Sequence, residues 1–231
     1  MEKIILTLLI FIFGACSSAY YTNRSQLILI SESKEKALGE QSAKEILKQS
    51  RLSKNIRQRK MVERVGANIA KVSGREDFAW EFYLLEDAQY NAFCLPGGKV
   101  FVYSGLMEII SNDDELAVVL SHEIAHVLLR HGAERMSVQM ITQFGGNILG
   151  SVVGAGNAMA QNVFSQVYGV GSNLGIILPF SRSHETEADR LGIFLMSKAG
   201  YNPQSTIIFW EKMSQKGEDG VEFLSTHPSN E

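Results

Sequence analysis

From Leu116 to Leu129 the chain is apolar almost throughout, and inside that run stands SHEIAHVLLRH, residues 121–131. Either the run is a buried helix that carries structural histidines, or it holds a metal ion with a base beside it. In an α-helix, residues four apart lie about 40° apart around the axis. His122 and His126 therefore project together, and one ion can take both. Glu123 sits beside the same patch, placed to draw a proton from an activated water without itself binding the metal. The helix has a clean start, because Asn112 can cap it and Glu115 follows three residues on, as a capping box requires. Gly132 can end it.

His131 fails the same test of angle. It lies about 180° around the helix from His122 and about 140° from His126. It cannot face the same ion unless the helix breaks first, so it is read as a structural residue where a cationic side chain suits the helix dipole. Catalytic zinc commonly takes three protein ligands and leaves one position for water, so the third ligand must come from elsewhere. HETEAD, residues 184–189, offers Glu185, Glu187 and Asp189. Glu185 and Asp189 share a helix face; Glu187 points roughly 200° from Glu185. Glu185 is assigned to the metal. Asp189 is assigned to the outer ring nitrogen of a ligating histidine, His122, where it would fix tautomer and orientation. Glu187 is left to solvent or a salt bridge.

The rest of the chain supplies the frame. With 231 residues, 45% hydrophobic, and a formal net charge of −3, it has enough apolar chain for one sizeable core and no basic excess of the kind nucleic acid requires. Two amphipathic charged segments between Ser31 and Lys71 read as helices. The stretch WEFYLLEDAQYNAFCLPGGKVFVYSGLM reads as a small antiparallel sheet with a hairpin turning at Pro96–Gly97–Gly98. Cys94 is a small packed side chain. SRSHETEADRLGIFLMSKAG is a further helix with Ser183 as cap and Gly200 as end, and PQSTIIFWEKMSQ is a last short one. The expected fold is α+β and mainly helical, one domain over residues 31–231. Residues 136–181 carry no Asp, Glu, Lys or Arg. Two core helices joined by a glycine-rich loop, or a mobile lid or membrane-contact element, both fit that composition.

At the N-terminus, an apolar run from Ile4 to Phe13 is too short to span a bilayer and has the length of a signal-peptide core. Gly14, Ala15 and Cys16 follow it like a bacterial lipobox. This predicts a signal peptide over 1–15, a lipid on Cys16 that anchors the chain to a membrane, with Ser17 and Ser18 after it favouring the outer membrane, and a tether over 16–30.

Four ordered motifs, NAFCLPGGKVFVYSGL, HEIAHVLLRHGAER, SRSHETEADRLG and FLSTHP, resemble the zinc metallopeptidases related to HtpX, the CAAX prenyl proteases and the OMA-type proteases. The likeness is strongest to periplasmic lipoprotein members of the BepA and LoiP kind. It implies a zincin-like fold with one zinc per chain on His122, His126 and Glu185, and Glu123 as general base. It also gives Asn91 and Ala92 a role on an edge strand that binds polypeptide substrate in extended form. His227 becomes a residue that stabilises an oxyanion or caps the metal. A protease of the cell envelope on the periplasmic side, clearing misfolded or misassembled proteins, is the implied function. An assembly or quality-control factor working with the outer-membrane assembly machinery is the alternative.

Overall fold

The computed structural model describes residues 16–18, 21–22, 24–144, 156–168, 180–216 and 227. A short antiparallel pair, β1 (Cys16–Ser18) and β2 (Ser25–Leu27), leads into two helices, α1 (Glu32–Gln49) and α2 (Ile56–Val72). The strands β3 (Glu81–Leu85), β4 (Ala92–Leu95) and β5 (Lys99–Tyr103) follow, then α3 (Asp113–Leu128) and α4 (His131–Phe144). The remaining helices are α5 (Gly156–Tyr168), α6 (Arg182–Lys198) and α7 (Ser205–Gln215). The expected signal peptide, residues 1–15, lies outside the described residues.

The sheet runs β3-β5-β4. The predicted hairpin is β4–β5, with Ala92 opposite Val102 and Leu95 opposite Lys99. Its turn needs glycine: Gly97 and Gly98 both take positive φ, 89° and 91°. The third strand departs from the antiparallel expectation. β3 joins β5 in parallel, Glu81 opposite Lys99, so the sheet is mixed. β3 and β5 are not joined by a tight turn; β4 and the loops beside it lie between them, which leaves β3 free to pair in either sense.

α3 is the centre of the molecule. From Glu115 to Leu128 every residue is buried, because the sheet, α2, α6 and α7 surround it. Burying Leu116, Val119, Leu120 and Ile124 contributes about 1.5–3 kcal/mol each. That outweighs the roughly 1–3 kcal/mol cost of a buried neutral polar group without a partner, so the core can hold a protonated carboxyl such as that of Glu123 in place. Asn112 caps the helix, its Oδ1 accepting from Glu115 N at 2.9 Å. The Glu115 carboxylate reaches back to Ser111 N at 2.9 Å, one residue before the box would place it.

Two helix boundaries differ from expectation. α3 ends before Gly132: Arg130 takes the left-handed conformation (φ 55°) and His131 opens α4. Gly132 serves packing instead, since a Cβ there would overlap the Tyr168 hydroxyl. α6 is capped by Ser181, not Ser183; Ser181 Oγ accepts from His184 N at 3.3 Å. Gly200 does follow the helix end, at φ 91°.

The uncharged stretch supplies core helices where it is described. Met136 and Met140 of α4 and Val163, Phe164 and Val167 of α5 enter a second apolar cluster with Phe93, Phe101 and α1. Residues 145–155 and 169–179 lie outside the described residues. The segment read as a tether packs on the domain: Gln26 is buried and its Nε2 donates to the Leu129 carbonyl at 2.7 Å, satisfying a terminal acceptor of α3.

Candidate metal centre

α6 crosses α3 at the turn that carries the first histidine. A Cβ on Gly192 would come within 3.2 Å of His122 N, so a glycine permits this approach. Fully buried Ala188 lies one turn earlier. Two turns back from Gly192, Glu185 reaches the histidine pair. Its Oε2 is 3.3 Å from His122 Nε2 and its Oε1 is 3.5 Å from His126 Nε2. The two imidazoles face each other, Nε2 to Nε2, at 3.0 Å. His227 completes the group: donor atoms of His122, His126, Glu185 and His227 all lie within 4.8 Å of one another, and all four residues are buried.

These residues fit a metal ion. Tetrahedral donors at about 2.0–2.1 Å from zinc stand roughly 3.4 Å apart, close to the spacings here. Glu185 Oε1 and Glu123 Oε1 are buried with no hydrogen-bond partner among the described residues. The electrostatics call for a cation as well. Burial opposes charge on His122, but hydrogen bonds to Asp189 and Glu185 and the nearby Glu123 outweigh it and lift its pKa to about 10. A proton on His122 thus does what a metal charge would do, and the ion must displace it. Burial, together with the positive charge of His122, pushes His126 well below its ordinary value, keeping it neutral as a ligand must be. Glu123 lies 3.4 Å from His227 Nε2, and burial pushes its carboxyl up to about 8, against the pull of His122.

The structure places Asp189 Oδ1 3.0 Å from His122 Nδ1, on the face of α6 that carries Glu185. Glu187 is not solvent-facing: its Oε2 is 3.1 Å from His131 Nε2 and accepts from Arg24 Nε at 2.9 Å. His131 corrects the dipole reading. It stands at the start of α4, not at a helix C-terminus, and is wholly buried. Burial, reinforced by His184 and Arg24, pushes its pKa down to about 2, so it is neutral. The helix does break before it, yet His131 still does not face the donor group. Its Nδ1 meets Nδ1 of His126, on the side away from Glu185, at 2.9 Å.

Several neighbours carried no sequence signal. Phe180 stacks on His126 with ring centroids 3.8 Å apart, and the Arg135 guanidinium lies 3.6 Å over the other residue's ring, that of Phe180. Glu134 joins the Arg24 guanidinium to His184, accepting at 2.9 Å from Arg24 Nη1 and lying 3.0 Å from His184 Nε2.

Asn91 stands just before Ala92, which begins β4, the sheet edge on the side of α3. Asn91 Oδ1 accepts from Ala92 N at 2.8 Å, while Asn91 Nδ2 is buried with no partner among the described residues. Every residue of β4 is buried, so this edge is covered. Phe93 and Cys94 share a narrow cavity with Glu123, His126, Phe180 and His227.

Two histidines one turn apart on a helix and a glutamate from a second helix match the donor set of the two-histidine, one-glutamate metallopeptidases, and a buried carboxyl stands beside them. Comparison with known proteins agrees. The chain belongs to Peptidase family M48, whose profile matches residues 56–231. It is 40% identical over 172 residues to the mitochondrial metalloendopeptidase OMA1 of Schizosaccharomyces pombe, covering 73% of this chain and 49% of that protein. With OMA1 of Saccharomyces cerevisiae it shares 35% over 248 residues, 95% of this chain and 69% of the relative. The beta-barrel assembly-enhancing protease of Yersinia pestis is 37% identical over 158 residues, 64% of this chain and 32% of that protein. The chain thus spans about half of the fission-yeast relative and about a third of the Yersinia one.

Proposed function

We propose that this chain is a zinc-dependent endopeptidase of the bacterial cell envelope that cleaves misfolded or misassembled envelope proteins. The observation that carries the reading is the convergence of His122, His126 and Glu185 on one buried point with Glu123 beside it. His122, His126 and Glu185 hold the ion; Asp189 keeps the His122 ring in the tautomer that leaves Nε2 to the metal. Zinc, when bound, supplies Lewis acidity that polarises a carbonyl and acidifies a water. Glu123 takes the proton and later hands it to the leaving amine. The β4 edge is covered in this state, so an extended substrate adds to it as a further strand only after the cover moves aside, where Asn91 Nδ2 offers a donor to its backbone. His227 caps the donor group in the resting chain and gives way when substrate enters, because a catalytic site keeps a position for water.

The apolar run Ile4–Phe13, followed by Gly14, Ala15 and Cys16, supports lipid anchoring at Cys16. No helix among the described residues is long and apolar enough to cross a membrane. Relatives named as beta-barrel assembly-enhancing proteases support the envelope, while those named OMA1 are mitochondrial. In a bacterial host, Cys16→Ser should move the protein from the membrane to the soluble fraction; a variant that still sediments with membranes rejects the anchor.

The chemistry is tested by metal removal. Chelation with 1,10-phenanthroline should abolish cleavage of denatured casein by the purified full chain, and added zinc should restore it. Cleavage that survives verified metal loss rejects the reading. A second reading, a holding factor for envelope clients, is favoured by the exposed Ile193, Phe194, Ile207 and Ile208 on α6 and α7. It predicts that Glu123→Gln still rescues an envelope-stress defect; a cleavage-dead form that fails to rescue excludes it.

A further inference from the structure

We infer that Arg24, Glu187 and His131 are positioning residues for the metal ligand His126, so that the segment preceding α1 is a working part of the metal centre. The inference rests on the reading of His122, His126 and Glu185 as ligands. A histidine that binds metal through Nε2 carries its proton on Nδ1 and must donate it somewhere. For His122 the acceptor is a carboxylate, Asp189, at 3.0 Å. For His126 it is another imidazole, His131 Nδ1, at 2.9 Å. A neutral imidazole accepts at only one nitrogen, so His131 can take this proton only if its own proton sits on Nε2. That atom lies 3.1 Å from Glu187 Oε2. A carboxylate there selects the required tautomer, since it can accept and cannot donate. His131 is fully buried, so water does not compete for either ring nitrogen.

Glu187 is itself held. Arg24 Nε donates to its Oε2 at 2.9 Å, and the other end of the guanidinium grips Glu134, Nη1 to Oε1 at 2.9 Å and Nη2 to Oε2 at 2.6 Å. Arg24 thereby ties α6, which carries Glu187, to α4, which carries His131 and Glu134. Three consecutive hydrogen bonds run from Arg24 to His126, each fixing the direction of the next. Arg24 lies outside residues 56–231, the part that matches the family, so the donors within that part rely on a group outside it.

The test uses the full chain and zinc sulfate, with affinity measured by competition against a chromophoric chelator. Glu187→Ala should weaken zinc binding by about 10-fold, the low end of the range for losing a ligand's outer partner, because it acts on His126 through His131. Arg24→Met should give a smaller loss of the same kind. The double variant should be no weaker than Glu187→Ala alone, because both act through one chain of bonds. Zinc affinity of Glu187→Ala within about twofold of the native value overturns the proposal, as do losses that multiply in the double variant. A merely structural role would lower the melting temperature of the metal-free chain and leave the affinity of the folded fraction unchanged. Should Glu187→Ala fail to fold, long-range proton–nitrogen NMR on the zinc-loaded native chain decides. His131 protonated on Nε2 and His126 on Nδ1 supports the proposal; His131 protonated on Nδ1 overturns it. A native chain that binds no zinc instead defeats the ligand reading on which this one stands.

Discussion

Glu123→Gln should lower kcat by about 10²–10⁴-fold, the usual contribution of a positioned acid or base, and should leave zinc binding intact. The carboxylate lies beside the donor group, 3.4 Å from His227, and its Oε1 has no hydrogen-bond partner among the described residues. Under the proposed function a buried carboxyl beside the histidine group is placed there to move a proton. Glutamine has the same shape, so the core around α3 stays packed, but its amide cannot accept and return a proton near neutral pH. The check is paired: casein cleavage for the loss, elemental analysis for the zinc. A variant that cleaves at the native rate removes Glu123 from the mechanism. A variant that loses zinc as well makes Glu123 a ligand, contrary to the assignment.

Glu185→Ala has the opposite signature. It removes the carboxylate donor of the set and leaves His122 and His126, facing each other at 3.0 Å, with His227 as the other member of the buried group. Zinc affinity should fall by more than the roughly 10–100-fold typical of an outer partner, and activity should fall with it. The variant should also show a lower pKa for His122, since one of the hydrogen bonds that hold its proton is gone. Unchanged metal stoichiometry at micromolar protein rejects Glu185 as a ligand. The two variants together separate the roles, one losing chemistry with metal kept and the other losing metal first.

Much of this site was legible because helical geometry is local. The 40° offset between residues four apart is enough to pair His122 with His126 and Glu185 with Asp189, and the apolar run around the first pair announces burial. What the pattern could not show is set by contacts between distant segments. Arg130 is not a residue that favours the left-handed conformation, so nothing in LLRHG marks the turn there. The sequence alone therefore puts His131 at the end of one helix, whereas it begins the next and turns back to His126. Arg24 and Glu134 pair across 110 positions, and the two charges look like ordinary surface residues in the sequence. The parallel entry of β3 has the same cause, because alternation in a short strand does not tell the direction of its neighbour. The covering of the β4 edge is a tertiary fact too; the sequence marks the strand and not what lies over it.

The proposed function requires one zinc ion on the imidazoles of His122 and His126 and the carboxylate of Glu185, with no thiolate. Zinc K-edge X-ray absorption on the purified full chain tests it directly. The predicted spectrum has only nitrogen and oxygen donors at about 2.0–2.1 Å, with the multiple scattering of at least two imidazoles. A sulfur shell near 2.3 Å, for which buried Cys94 beside the site is the described thiol, or a spectrum without imidazole scattering, contradicts it.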